Sequence, residues 1–183
     1  GAPAELFISA NPEHMADLVA QGQVKDTRIF AYNRLALVLP KANPAGILRP
    51  EELPKAQRLV MGNEDVPIGD YTRQWLRNMD VSTGTSFSTK VLSKVVSQEN
   101  NVRLLRAKVE LGEADAAVVY LTDALSSQEV RRLAIDSKTN IRTVYQLGNV
   151  SNRRDNPALD TWRDFLKSDE ARQLMKQEGL DLP

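Results

Sequence analysis

Three places in this sequence combine residue types and spacing that suit the binding of an anion. Val66-Pro67-Ile68-Gly69-Asp70-Tyr71 follows an apolar run and opens a helical pattern, with Pro67 at the first helical position. Gly69 carries no side chain, so backbone N–H groups there can approach a ligand closely. Asn100-Asn101-Val102-Arg103 opens a second helix, with Asn100 or Asn101 as its cap. Tyr120 closes the apolar run 116–120 and offers a hydroxyl at the carboxyl end of a buried strand, where ligands collect in open α/β sheets. The first N–H groups of a helix have no intrahelical acceptor, and the helix dipole favours negative charge beside them. Such groups, with neutral hydroxyls, can hold a dehydrated tetrahedral dianion without the full positive charge that would bind any anion indiscriminately.

Each feature also has an ordinary structural use. A Pro-x-Gly at a helix start is commonly only a start, and Asn101 commonly only a cap. A tyrosine ending a buried strand often packs there with its hydroxyl satisfied. His14 reads as a solvated side chain on an early helix, and Trp75 and Trp162 as members of helix core faces. Arg103, Arg106 and Lys108 form a wet helix face, and Arg153-Arg154-Asp155 a solvated turn.

Other chemistries find little support. The chain has no cysteine and one histidine, which removes disulfides, thiolate nucleophiles and multi-His or Cys-ligated metal sites. No Gly-x-Ser-x-Gly elbow and no Walker or dinucleotide glycine loop occurs. Glu51-Glu52, Glu64-Asp65 and Asp169-Glu170 are adjacent pairs, which do not face one another on a helix and make poor acid/base dyads. No catalytic residues, cofactor or metal ligands are expected, and the chain reads as a binding protein rather than an enzyme.

The elements that must position these residues alternate along the chain. Residues 6–9, 58–62 and 116–120 read as short strands, and 29–39 and 140–147 as two long extended segments. Helical patterns begin at Asn11-Pro12 and Asn156-Pro157 and span 51–56, 69–79 and 169–179; Leu174 and Met175 face inward in the last. Val91, Leu92, Val95 and Val96 stripe one helix face, after a polar turn at 81–86. The helix from Asn101 turns Val102, Leu105 and Val109 inward and ends at Gly112. This alternation predicts an α/β protein with mostly parallel sheets. The two long segments bracket a compact middle, which predicts two lobes: 1–34 with 148–183, and 35–147.

The charge is balanced, 24 basic against 24 acidic residues, so composition gives no support for nucleic acid or an anionic membrane as main partner. A chain of 183 residues with 42% hydrophobic content can bury a sizeable core unaided. No apolar run approaches the roughly 20 residues that span a bilayer. The opening Gly1-Ala2-Pro3-Ala4-Glu5 does not read as a signal peptide.

Several segments carry a family likeness. Gly1 to Ala10 (GAPAELFISA) is similar to a GAPADLFISA segment of periplasmic molybdate-binding proteins. Gly62 to Tyr71 (GNEDVPIGDY) resembles their G-(D/N)-P-E-x-V-P-x-G-x-Y stretch. Val102-Arg103, then Gly112 to Ala116 and Val119 to Ala124, resemble their V-R … G-E-A-D … V-Y-x-T-D-A block, at matching spacing. Asp164 to Ala171 and Glu178 to Leu180 also fit, so the likeness runs essentially end to end.

The resemblance implies the type II periplasmic-binding-protein fold, two α/β lobes joined by two crossing strands, with molybdate or tungstate in the cleft. It implies an ABC permease as partner, a periplasmic or extracytoplasmic place, and a membrane anchor upstream as one further option. Carried over by motif, the oxyanion contacts are the backbone N–H at Ile68, that at Val102, and the Tyr120 hydroxyl, supported by Pro67, Gly69 and Asn101. Alternatives on the same fold are a regulatory ligand-binding domain or a binding protein for sulfate.

Two departures from the family matter. Its members carry a further segment before GAPADLFISA that supplies two serine loops of the anion shell. The expectations that follow are an incomplete first lobe, weak binding by this chain alone, and an open sheet edge that invites dimer formation or strand exchange. Asp70 stands where many relatives have a neutral residue, and is expected to point outward in the first helical turn.

Overall fold

The computed structural model describes residues 4–151 and 156–183, so the turn expected at 153–155 lies outside the described residues. The chain divides into two compact units, 1–33 with 142–183, and 34–141. The lobe boundaries read from sequence were 34/35 and 147/148. In this division the whole strand Arg142–Val150 lies in the first unit.

In the first unit, β1 (Leu6–Ser9) pairs antiparallel with β7 (Arg142–Val150), in the register Leu6 to Asn149 and Ser9 to Gln146. β7 lies next to β2 (Val24–Pro40), a single 17-residue strand that continues into the second unit. Helix α1 (Pro12–Ala20) starts where Asn11 accepts the N–H groups of Glu13 and His14, with Pro12 in the first turn, as the sequence predicts. Its Met15 is buried and His14 exposed. Helices α6 (Pro157–Lys167) and α7 (Asp169–Gln177) each bury one residue, Leu159 and Ala171. Trp162 and Leu174, expected inward, are exposed, and so is Phe165.

The second unit holds the larger core. Its sheet has the order β6 (Val130–Ala134), β2, β5 (Ala116–Tyr120), β3 (Leu59–Gly62), β4 (Val95–Glu99). β3 runs parallel to β4 and β5, whereas β2 runs antiparallel to β5 and β6. The sheet is therefore mixed, a correction to the mostly parallel expectation. Ala116 to Val119 are buried on both faces, as a central strand between helical layers requires. A 3-10 helix (Pro50–Lys55) precedes β3, and α2 (Pro67–Thr83) covers the sheet with Ile68, Thr72, Trp75, Leu76 and Met79. Trp75 meets Phe87 edge-on, ring centres 6.0 Å apart.

Helix α3 (Phe87–Leu92) is short, and Val95 and Val96 belong to β4, not to a helix. Helix α2 also runs through 81–83, expected as turn, and stops at Gly84 in the left-handed conformation. Helix α4 (Val102–Glu110) buries Leu105 and Val109, and Gly112 lies just beyond it at φ 70°. Helix α5 (Leu121–Leu125) follows β5 directly.

Asn140 substitutes for a rung of sheet where β2 enters this unit. Its Oδ1 accepts from the N–H of Leu35 (3.0 Å) and of Ile141 (2.7 Å), and its Nδ2 donates to the Leu35 carbonyl at 2.9 Å. Leu35 is fully buried, so Asn140→Ala strips both of its backbone groups of a partner away from water. We expect a loss of about 2–3 kcal/mol in urea unfolding, with Asn140→Asp intermediate because it keeps the acceptor and loses the donor. A variant within 0.5 kcal/mol of wild type, roughly the noise of surface substitutions, would refute this role.

Candidate functional site

Three adjacent parallel strands, β5, β3 and β4, end at the same side of the sheet, at Tyr120, Gly62 and Glu99. The segments that follow them carry every residue singled out from sequence: Pro67, Ile68 and Gly69 open α2, Asn101 and Val102 open α4, and Tyr120 leads into α5. Ligands collect at this end of open α/β sheets because helix starts converge there.

The start of α2 is shaped by its sequence. Val66 is extended (φ −113°, ψ 140°) and gives no side-chain cap, and Pro67 has no N–H to satisfy. The N–H groups of Gly69 and Asp70 both point to the Val66 carbonyl, at 2.9 and 3.3 Å. Ile68 is thus left with a backbone N–H that has no acceptor among the described residues, while its buried side chain anchors the turn in the core. Helix α4 is capped differently. Asn101 accepts from the Leu104 N–H at 3.0 Å, and the N–H groups of Val102 and Arg103 have no acceptor among the described residues. Tyr120 is 9% exposed, its ring edge-on to Tyr71 with centres 6.4 Å apart.

Gly69 has a packing role that its sequence pattern does not reveal. A Cβ there would lie 1.8 Å from the Asn63 carbonyl oxygen and 2.5 Å from that of Gly62. A Cβ on Gly62 would likewise meet the Gly69 nitrogen at 2.6 Å. The missing side chains let the end of β3 and the first turn of α2 touch backbone to backbone, so Gly69 serves packing.

The acidic groups around these helix starts are neutralised or turned away. Asp70 is exposed and accepts from Gln74 at 2.7 Å along the helix, the outward orientation its position requires. Glu99 is paired with Lys108 (2.5 Å) and with the Ser97 hydroxyl, and hydrogen bonding from these two holds its carboxyl below the usual range. Burial pushes the Asp123 carboxyl up, against the pull of Arg106 and Arg103.

Sequence reasoning missed the cross-links between the two helix starts. Asn63 donates from Nδ2 to Asn100 at 2.5 Å, and its N–H reaches the Glu99 carbonyl at 3.0 Å. Arg73 Nη1 donates to the carbonyls of Gly62 (3.1 Å) and Gly69 (3.0 Å), and its Nη2 to Gln98 (3.2 Å). Only the four-residue step from Gly69 to Arg73 is a local signal; the other partners meet through strand pairing. Among the described residues no helix is long and apolar enough to cross a membrane.

The profile of the bacterial extracellular solute-binding protein family matches residues 1–181, and the chain belongs to that family. A putative ABC transporter substrate-binding lipoprotein of Bacillus subtilis (strain 168), YvgL, is 32% identical over 183 residues, which span 98% of this chain and 68% of that protein. The molybdate-binding protein ModA of Escherichia coli (strain K12) is 28% identical over 192 residues, covering 100% of this chain and 72% of its own length. The fold matches the substrate binding domain of a putative molybdenum ABC transporter from Clostridium difficile at a TM-score of 0.79 and 23% identity, covering 100% of this chain and 79% of that one.

Proposed function

We propose that this chain is the solute-binding component of an ABC importer and takes a tetrahedral oxyanion, molybdate or tungstate, at the starts of α2 and α4 beside Tyr120. The observation that carries the reading is the pair of helix starts, following neighbouring parallel strands, whose N–H groups at Ile68 and at Val102 have no acceptor among the described residues. Two such termini supply directional N–H donors and partial positive charge, which suit a dianion that has shed its water. The Tyr120 hydroxyl adds a neutral donor. Binding of this kind needs no cofactor and no metal cation. The name of the Escherichia relative supports molybdate as ligand, and the family's description with the Bacillus relative's name supports an extracytoplasmic protein that serves a membrane permease, with a lipid tether as one means of keeping it there.

A two-dimensional amide NMR titration with sodium molybdate, tungstate, sulfate and chloride tests the reading and detects even weak, millimolar binding. The amide signals of Ile68 and Val102 are expected to shift saturably with molybdate and tungstate, less with sulfate, and not with chloride. Sulfate shifting them more strongly than molybdate would reassign the ligand. Silence at both amides with every oxyanion would overturn the site.

A further inference from the structure

We propose that Arg73 is the positioning residue of this site: its guanidinium fixes the first turn of α2 against the ends of β3 and β4, and so sets where the Ile68 N–H points. The inference rests on the oxyanion reading above and names the group that makes its geometry rigid.

One planar group touches three elements. Nη1 is shared between the carbonyl of Gly62, the last residue of β3, and that of Gly69, in the first turn of α2. Nη2 reaches Gln98 in β4, and Nε lies 3.6 Å from Glu64. The Arg73 side chain is only 18% exposed, whereas Glu64 is 81% exposed, so the ion pair contributes little and the carbonyl contacts set the geometry. These contacts lock the same backbone pair, Gly62 and Gly69, that meets without side chains between them. The Asn63 to Asn100 bond then ties this fixed turn to the loop that opens α4. Hydrogen bonds weaken steeply with angle, so a donor that must meet an oxyanion oxygen depends on such a support. A guanidinium spreads its donors in a fixed fork; a lysine ammonium carries the same charge as a point and cannot reach the three acceptors together.

Arg73→Lys separates positioning from charge. Its effect is read as the molybdate Kd from the amide titration, beside thermal melts, with Asp115→Asn as a control that destabilises the opposite end of the same sheet. Arg73→Lys is expected to weaken molybdate binding by about tenfold, with the shift at Ile68 reduced more than that at Val102, while Asp115→Asn stays within about twofold of wild type. Gln98→Ala, which removes one of the acceptors and leaves Arg73 in place, gives a smaller loss of the same kind and serves if Arg73→Lys fails to fold. Wild-type affinity in both Arg73→Lys and Gln98→Ala would overturn the inference and leave the oxyanion reading standing. Equal weakening in Asp115→Asn would also overturn it, since general destabilisation would then explain the loss. A wild-type protein that answers no oxyanion overturns the reading and this inference together.

Discussion

Replacing Gly69 by alanine will destabilise the protein by about 2–4 kcal/mol and displace the start of α2. Helix propensity argues the other way, since alanine is favoured over glycine by about 1 kcal/mol inside a helix. Geometry decides the sign. The new Cβ would sit 1.8 Å from the Asn63 carbonyl oxygen and 2.5 Å from the Gly62 oxygen, and both are backbone atoms that no rotamer change can move. Either the β3–α2 connection opens or α2 shifts along its axis, and both break the Arg73 contacts to Gly62 and Gly69. Gly148 is a useful contrast. There an added Cβ would meet side-chain atoms of Val24, Thr27 and Met15, the first at 2.3 Å, and those can turn aside at lower cost. Differential scanning calorimetry should show a fall in Tm of roughly 5–15 °C for Gly69→Ala, and a smaller one for Gly148→Ala. A Gly69→Ala protein as stable as wild type would mean that the two backbones are not in contact.

What the sequence revealed and what it hid follow from how local each feature is. The starts of α1, α4 and α6 were readable because Asn11, Asn101 and Asn156 cap the N–H groups of their own first turns, and Pro12 and Pro157 fit the same positions. The strand 116–120 was readable because a strand covered on both faces is apolar throughout. β4 was not. Val91, Leu92, Val95 and Val96 fall at helical spacing, and only the pairing of Val95 with Leu59, distant in the chain, makes the second half a strand. β6 was missed for a similar reason, since Arg131 and Arg132 break any apolar pattern and its order comes from Leu37, Val38 and Leu39 across the sheet. The same division holds in the site. Helix starts and a strand end could be picked from sequence, but the tight contact of Gly69 with Asn63 and the reach of Arg73 to Gln98 exist only once β3 and β4 lie side by side.

Asp115 anchors the other end of these strands, and its removal is the second large effect expected. Its Oδ2 accepts from the N–H groups of Gln57 and Arg58, both at 2.9 Å, and its Oδ1 from the Arg58 guanidinium at 2.9 Å. Its own N–H donates to the Arg58 carbonyl at 2.8 Å, so one residue closes the entry of β3 onto β5. The side chain is 8% exposed. Asp115→Ala therefore leaves two backbone donors without an acceptor, at a cost of about 2–4 kcal/mol. Asp115→Asn keeps an acceptor for those donors but turns an amide toward Arg58, and should lose less. The pH dependence has a defined sign. Burial would raise the Asp115 carboxyl, but the Gln57 and Arg58 N–H groups and the Arg58 guanidinium outweigh it and hold the carboxyl below its ordinary value. A carboxylate depressed by folding contributes stability above the unfolded value of about 3.9 and loses it as pH falls through the lower folded value. Wild type should thus lose stability below about pH 4 more steeply than Asp115→Asn, in urea melts taken from pH 7 downward. Glu52, Asp80 and Glu99 are depressed as well and remain in both proteins, so Asp115→Asn also loses stability toward low pH, with a shallower slope than wild type. Parallel slopes for the two proteins would show that Asp115 is not held ionised by its partners, and the anchor would have to be explained by packing alone.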